Sequence, residues 1–206
     1  MLKIPFVKNP GKQPGQACML MALEYYFPDK EFTVEQVNSL MRRKEGEWIF
    51  PQQSAVALNE LGLNAKAYSS IDIPTGRPAV INSFRGSFGK DYDKAIENSD
   101  LENYEHFSKI AKEKRLFEVR HHSIEDIGEY VNHGCAVMAR VASQVLYGRR
   151  GPFVGHSVIV VGMSRYSVWI NDPDRGSDMK YPKDLFEKAY KVPEIDDDIL
   201  VVFGKK

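Results

Sequence analysis

Apolar positions in the first third of the chain recur at helical spacing. Leu20, Leu23 and Phe27 lie three and four residues apart, so one face of a helix turns towards a core. The turn Gln13-Pro14-Gly15-Gln16 leads into that helix, and Pro28 cannot continue it, which sets its end near Tyr26. Before it, Ile4 to Lys8 reads as a short extended segment broken by Asn9-Pro10-Gly11-Lys12. Thr33 followed three places later by Gln36 is a capping-box pattern, opening a second helix through Val37 and Leu40 towards Arg43. Trp48-Ile49-Phe50-Pro51 introduces a third, Gln52 to Leu61, stopped by Gly62. Asn64 to Tyr68 reads as a short strand and Ile71 to Gly76 as a loop.

Between Pro78 and Asp100 the periodicity is weak, and Ser83 to Gly89 reads as a flexible, glycine-interrupted segment with two aromatics. Leu101 to Leu116 places Tyr104, Phe107, Ile110 and Ala111 at helical spacing on an otherwise charged segment, which predicts an amphipathic helix. Ser123 caps another helix that ends at Asn132-His133-Gly134. The pattern then changes to short apolar runs, Cys135 to Val141, His156 to Gly162 and Ser167 to Asn171. A last helix begins at Pro182, and Ile199 to Phe203 closes the chain as a strand. Helices first and strands second predict an α+β fold, the N-terminal helical half packed on one side of a C-terminal antiparallel sheet.

A length of 206 residues, 43% hydrophobic and 27% charged, suits one globular domain, 1–206. Lys plus Arg equals Asp plus Glu, 28 each, so no net field draws the chain to nucleic acid or to an anionic membrane. Two cysteines make no disulfide framework, and no Cys/His spacing resembles a zinc site. The N-terminus has no long apolar run of a signal sequence, so the expected location is cytoplasmic and reducing, with no metal or cofactor.

Within this frame Cys18 stands at the start of an apolar helix. Unpaired backbone N–H groups and the positive end of the helix dipole favour thiolate there. Taken alone, such a cysteine is better explained as a small core residue, because a helix-start cysteine without a base is ordinary packing. Gly155-His156-Ser157 changes that, because the histidine opens an apolar strand just after the glycine-rich loop Gly148 to Pro152. The next strand runs into Asn171-Asp172-Pro173-Asp174, and antiparallel neighbours bring the start of one strand beside the end of the other. Cys18, His156 and Asp172 thus supply a nucleophile, a base and a group to orient the base. The Cys18 N–H and the Gln13 side-chain amide are the expected oxyanion donors, with Gln16 the competitor for the second place.

In order and context, these pieces resemble the papain-like cysteine peptidases, and within them the bacteriocin-processing, double-glycine-leader peptidases and their stand-alone relatives. The resemblance runs from about residue 4 to 175 and rests on Gln13, Cys18, Gly155-His156 and Asn171-Asp172-Pro173. It implies a papain-like fold and hydrolysis of a peptide or related acyl bond through a thioester on Cys18. The partner implied is a peptide or protein substrate. An acyl or peptidyl transferase would use the same intermediate, and a catalytically silent binding module the same fold. Where the family usually has glycine after the cysteine, this chain has Met19, which predicts a narrower cleft.

The remaining candidates have plainer readings. Cys135 reads as core, His121 and His122 as surface or cap residues, and His133 as a partner for a helix C-terminus. Asp172, Asp174 and Asp178 miss the spacing of a calcium loop and read as a turn. Trp48, Trp169 and Ser83 to Phe88 suit either cleft walls or core packing.

Overall fold

In the computed structural model, which describes residues 1–192, 195 and 197–206, seven strands form one sheet in the order β2-β1-β7-β3-β4-β5-β6. The strands are β1 (Leu63–Ser69), β2 (Phe117–Val119), β3 (Ala136–Ala142), β4 (Gly155–Met163), β5 (Ser167–Asp172), β6 (Gly176–Pro182) and β7 (Ile199–Lys205). All pairings are antiparallel except that of β1 with β2. The helices are α1 (Pro14–Tyr26), α2 (Val34–Leu40), α3 (Pro51–Glu60), α4 (Arg77–Phe88), α5 (Tyr92–Glu97), α6 (Leu101–Glu113), α7 (Ile124–Asn132), α8 (Ser143–Leu146) and α9 (Lys183–Tyr190).

Strand alternation sorts the core into two layers. On β3, β4 and β7, Met138, Ile159, Val161, Leu200 and Val202 pack with α1 to α6. Their neighbours Val137, Val158, Val160, Ile199 and Val201 face the other way, against α7, α8 and α9. Helices therefore cover both faces of the sheet, not one as expected. The cause is legible in Val158-Ile159-Val160-Val161: a run with no polar alternation has two faces to bury.

Local signals fix several boundaries. Thr33 and Gln36 form the reciprocal capping box at α2, and Ser123 with Asp126 forms another at α7. Gly62 follows α3 at φ 94°, a left-handed value that favours glycine. The segment read as flexible, Ser83 to Gly89, instead lies largely in α4, which presents Val80 and Phe84 to the core at a spacing of one helical turn. Phe84 meets Phe50, Phe88 and Tyr104 at ring-centroid distances of 5.6, 5.3 and 5.1 Å, and this aromatic packing orders a helix that its own pattern marks weakly.

The end of α1 is tied to the sheet through Tyr26. Its hydroxyl donates to Val202 O at 2.7 Å and accepts from Ala136 N–H at 3.2 Å. At the other end, Leu2 N–H donates to Val161 O and Asn171 Nδ2 donates to Ile4 O, laying the N-terminal segment along β4 and β5. Helix α1 is thereby held against β4, the strand that begins with Gly155-His156.

Candidate active site

Helix α1 starts one turn earlier than the sequence suggests. Pro14 occupies its first position, where a missing N–H costs nothing, and Ala17 N–H donates to Gln13 O as the first rung of the ladder. Cys18 is thus the fifth helical residue, and its backbone N–H falls within the ladder rather than free at the helix start. Its side chain still leans back over the first turn, as every helical Cβ does. Gly15, three residues before Cys18 and on the same face, packs against β4. A Cβ built at Gly15 would lie 3.7 Å from Ser157 Oγ, next to His156, and 2.5 Å from Ile49 Cδ1.

His156 and Asp172 meet as the hairpin argument expects. His156 Nε2 lies 2.9 Å from Asp172 Oδ1, and His156 is only 4% exposed with Asp172 fully buried. Because an ionised carboxylate only accepts, Nε2 carries the proton and Nδ1 is left as the basic nitrogen. Asp174 N–H donates to Asp172 Oδ1 at 3.0 Å, and the Tyr147 hydroxyl donates to Oδ2 at 2.6 Å. Burial pushes the Asp172 carboxyl up, but the bonds from His156 and Tyr147 outweigh it and hold the group below the usual carboxylate range. Asp174, 47% exposed, places Oδ2 3.7 Å from His156 Nδ1.

One asparagine joins the loop before α1 to the turn after β5. Asn9 Nδ2 donates to Asp174 Oδ1 at 2.6 Å and its backbone N–H to Pro173 O at 2.9 Å. Its Oδ1 accepts from Gly11 N–H and Gln13 N–H. Gln13 caps α1 with its side chain held by the oxygen end: Asn38 Nδ2 donates to Oε1 at 2.9 Å and Arg43 Nη1 at 3.4 Å. That leaves the Gln13 amide nitrogen to donate. Gln16 is buried, and its Nε2 donates to Asn38 Oδ1 at 2.9 Å, so its donor is engaged. Among the described residues, of the two glutamines only Gln13 has its oxygen anchored and its nitrogen without a hydrogen-bond partner.

Cys18 is the least expected part of the arrangement. It is completely buried and, among the described residues, its sulfur makes no hydrogen bond, to His156 or to any other group. Burial pushes its thiol well above the ordinary range, and the negative charges of Asp172 and Asp174 push the same way. Both effects favour the thiol over the thiolate, against the pull of the helix dipole. Met19 is also fully buried, inside the first core layer, so it does not narrow the cleft.

A groove leads away from Gly15 and Ser157. It is floored by Met138 and Leu200, flanked by Ile49 and Phe50, and reaches the Arg140–Asp198 ion pair, 3.4 Å between Nη1 and Oδ2. Beyond that pair a second pocket is walled by Phe84, Phe88 and Ile73, so Ser83 to Phe88 does line a cleft, and Trp48 backs it against Phe88. Sequence reasoning did not single out Asn9, Asn38, Arg43, Tyr147 or Asp174 for the site. Each acts through a contact across at least 18 residues of chain, for which no local pattern exists, except that Asn9 lies in a turn already marked by Pro10 and Gly11.

The plainer candidates resolve as follows. Cys18 and Cys135 are both free and buried. His133 caps α7, with Nδ1 2.7 Å from Glu129 O. His121 is exposed, but His122 is not a surface residue: it is buried edge-on to Tyr68 at 4.6 Å between centroids, and Nε2 lies 3.2 Å from the Tyr130 hydroxyl. Asp178 N–H donates to Asn171 Oδ1, part of the turn expected there.

Two solved structures share this fold. A C39-like peptidase from Bacillus anthracis superposes with a TM-score of 0.53 at 14% identity, over 98% of this chain and 95% of its own. The peptidase domain of Streptococcus ComA, a bifunctional ABC transporter of a quorum-sensing pathway, gives 0.52 at 11% identity, over 98% of this chain and 99% of that domain. No curated protein matches by sequence. The papain-like α+β architecture is thus shared along nearly the whole chain, and the model of the Peptidase_C39 like family matches residues 15–193, so the chain belongs to that family.

Proposed function

We propose that this protein is a cysteine peptidase that cleaves a peptide or related acyl bond through Cys18, His156, Asp172 and Gln13. The observation that carries the reading is the buried His156–Asp172 pair, 2.9 Å long, with the second imidazole nitrogen left basic. Since burial and the nearby aspartates favour the thiol form, His156 Nδ1 takes its proton as Cys18 Sγ attacks the substrate carbonyl. The C–S bond forms, the carbonyl electrons move onto oxygen, and the Gln13 amide donates to that oxyanion. Collapse expels the amine, which receives the proton from His156, leaving a thioester on Cys18. Water, deprotonated by His156, hydrolyses the thioester and restores the thiol.

Asp172 keeps the imidazole in the tautomer this sequence needs, and Asp174 lies beside the nitrogen that becomes charged. The Cys18–His156 contact closes when substrate seats in the groove, as catalytic contacts often tighten in the loaded enzyme. Two free thiols suit a reducing location, and we place the protein in the cytoplasm. Incubation with a mixed peptide library, read by mass spectrometry, tests the activity. Wild type is expected to cut at defined bonds and Cys18→Ala and His156→Ala at none, whereas equal cleavage by all three overturns the assignment. One observation favours a second reading, a silent binding module: the fully buried thiol without a hydrogen bond. Peptides retained but uncut by wild type would select it.

A further inference from the structure

The β3–β4 connection carries a residue, Tyr147, that takes no part in the bond-making and proton-transfer steps on Cys18 and His156. Tyr147 follows α8, its N–H bonded to Ser143 O at 2.9 Å, and Gly148 turns the chain at φ 62°. The connection is closed on itself: Ser143 Oγ donates to Val154 O at 3.1 Å and Val154 N–H donates to Gln144 Oε1 at 3.0 Å. Val154 stands two residues before His156, so Tyr147 is fixed relative to the start of β4. Its hydroxyl reaches Asp172 Oδ2, the oxygen His156 does not use, at 2.6 Å. Its ring stands edge-on to the imidazole with 6.1 Å between centroids. The guanidinium of Arg175 lies 3.6 Å from the Tyr147 ring centroid, and that of Arg149 lies at 5.5 Å.

We propose that Tyr147 is a positioning residue of the site: its hydroxyl locks the Asp172 carboxylate through Oδ2, so that Oδ1 stays aimed at His156 Nε2, while Arg175 holds the Tyr147 ring. The inference rests on the peptidase reading above. A carboxylate rotates about its last bond, and a donor on each oxygen stops that rotation. A buried anion also needs every donor it has, because burial opposes its charge. Removing the hydroxyl leaves Oδ2 buried without its side-chain donor, and Asp172 then takes up a proton at higher pH. The other titratable and charged groups around Asp172 are His156 from β4, Asp174 and Arg175 from the turn after β5, Tyr181 from β6 and Cys18 from α1. Arg149 stands over Tyr147 from the loop after α8. Of these, only Tyr147 and His156 give Asp172 a side-chain hydrogen bond.

Tyr147→Phe keeps the ring and its cation contacts and removes one hydroxyl. The measurement is the rate of Cys18 alkylation by iodoacetamide across pH, read by peptide mapping, in wild type, Tyr147→Phe and His156→Ala. A hydrogen bond to a buried charge predicts that the acid limb of the Tyr147→Phe profile moves up by about one pH unit, a roughly tenfold slower reaction on that limb. With a substrate in hand, kcat falls on the same limb and KM does not move. Incorporation of 3-fluorotyrosine at position 147 keeps the shape, strengthens the donor and shifts the limb to lower pH, which decides the matter even if Tyr147→Phe fails to fold. A Tyr147 profile, for either variant, superimposable on wild type while His156→Ala reacts more slowly overturns the role of Tyr147 and leaves the peptidase reading standing. A His156→Ala profile equal to wild type at every pH overturns the peptidase reading, and the role of Tyr147 with it.

Discussion

Asn9 joins the two loops that carry the site, and Asn9→Ala measures how much that junction contributes. The substitution removes three side-chain hydrogen bonds, to Asp174 Oδ1 at 2.6 Å and from the N–H groups of Gly11 and Gln13 at 3.0 and 2.9 Å. The backbone bond to Pro173 O remains. The Gly11 and Asp174 contacts lie in exposed surroundings, so water replaces much of what they contribute, and only the Gln13 bond is partly buried. Summed with that discount, the loss is about 2 kcal/mol. For a chain of this size that lowers the thermal midpoint by about 4–8 °C.

The catalytic effect should exceed the stability effect, because Gln13 and Asp174 both lose an anchor while the His156–Asp172 bond is untouched. A misplacement of this kind lowers kcat by roughly tenfold to a hundredfold at temperatures where the variant is fully folded. Asn9→Asp separates the two halves of the junction: it keeps an acceptor for Gly11 and Gln13 but sets a second carboxylate against Asp174. Its midpoint is expected between wild type and Asn9→Ala, with turnover as low as that of Asn9→Ala. Differential scanning calorimetry and initial-rate kinetics on the three proteins decide it. An Asn9→Ala protein that melts within 1 °C of wild type and turns over at the same rate would refute the claim that Asn9 couples the nucleophile loop to the base loop, given the roughly 2 kcal/mol at stake.

Three further outcomes follow from the geometry. Burial, helped by the charge of Arg120, holds the His122 imidazole below its usual range, so the unfolded chain binds a proton that the folded protein refuses. That stability is intact above about pH 6.5 and is lost progressively as pH falls below it, so urea midpoints should drop between pH 7 and 5. His106, whose imidazole burial and Arg42 also lower, adds a slope of the same sign, and His122→Phe should flatten only the His122 share. Met19→Ala leaves a cavity in the first core layer and should cost about 2–5 kcal/mol without changing which bonds are cut, and a changed cleavage pattern would return Met19 to the cleft wall. Gly15→Ala drives Ile49 Cδ1 out of its place at the head of the groove, which should raise KM more than it lowers the melting midpoint.

The parts legible in the sequence are those with local causes. The Thr33–Gln36 and Ser123–Asp126 boxes mark helix starts through bonds made within a few residues, and Gly62 marks a helix end. His156 and Asp172 are legible because a hairpin converts a separation of 16 residues into contact, and 2.9 Å between their side chains is the result. What escaped depends on distant partners. Helix α4 fully buries only Val80 and Phe84 and is ordered by Phe50, just before α3, and Tyr104 of α6. Strand β6, Gly176 to Pro182, lies at the sheet edge and alternates too weakly in Met179 and Tyr181 to stand out. The upward push on the Cys18 thiol escaped as well, since it comes from burial and from two aspartates more than 150 residues away.

The central claim is that Cys18 reacts because His156 takes its proton, and covalent trapping with a peptidyl vinyl sulfone tests it directly. Cys135, also buried and its thiol likewise raised by burial, serves as the internal control within the same molecule. Intact-mass and peptide-level spectra should show one adduct per chain, on Cys18, formed rapidly in wild type and absent from His156→Ala over the same time. Adducts on Cys18 and Cys135 at equal rates, or labelling of His156→Ala at the wild-type rate, would contradict the account.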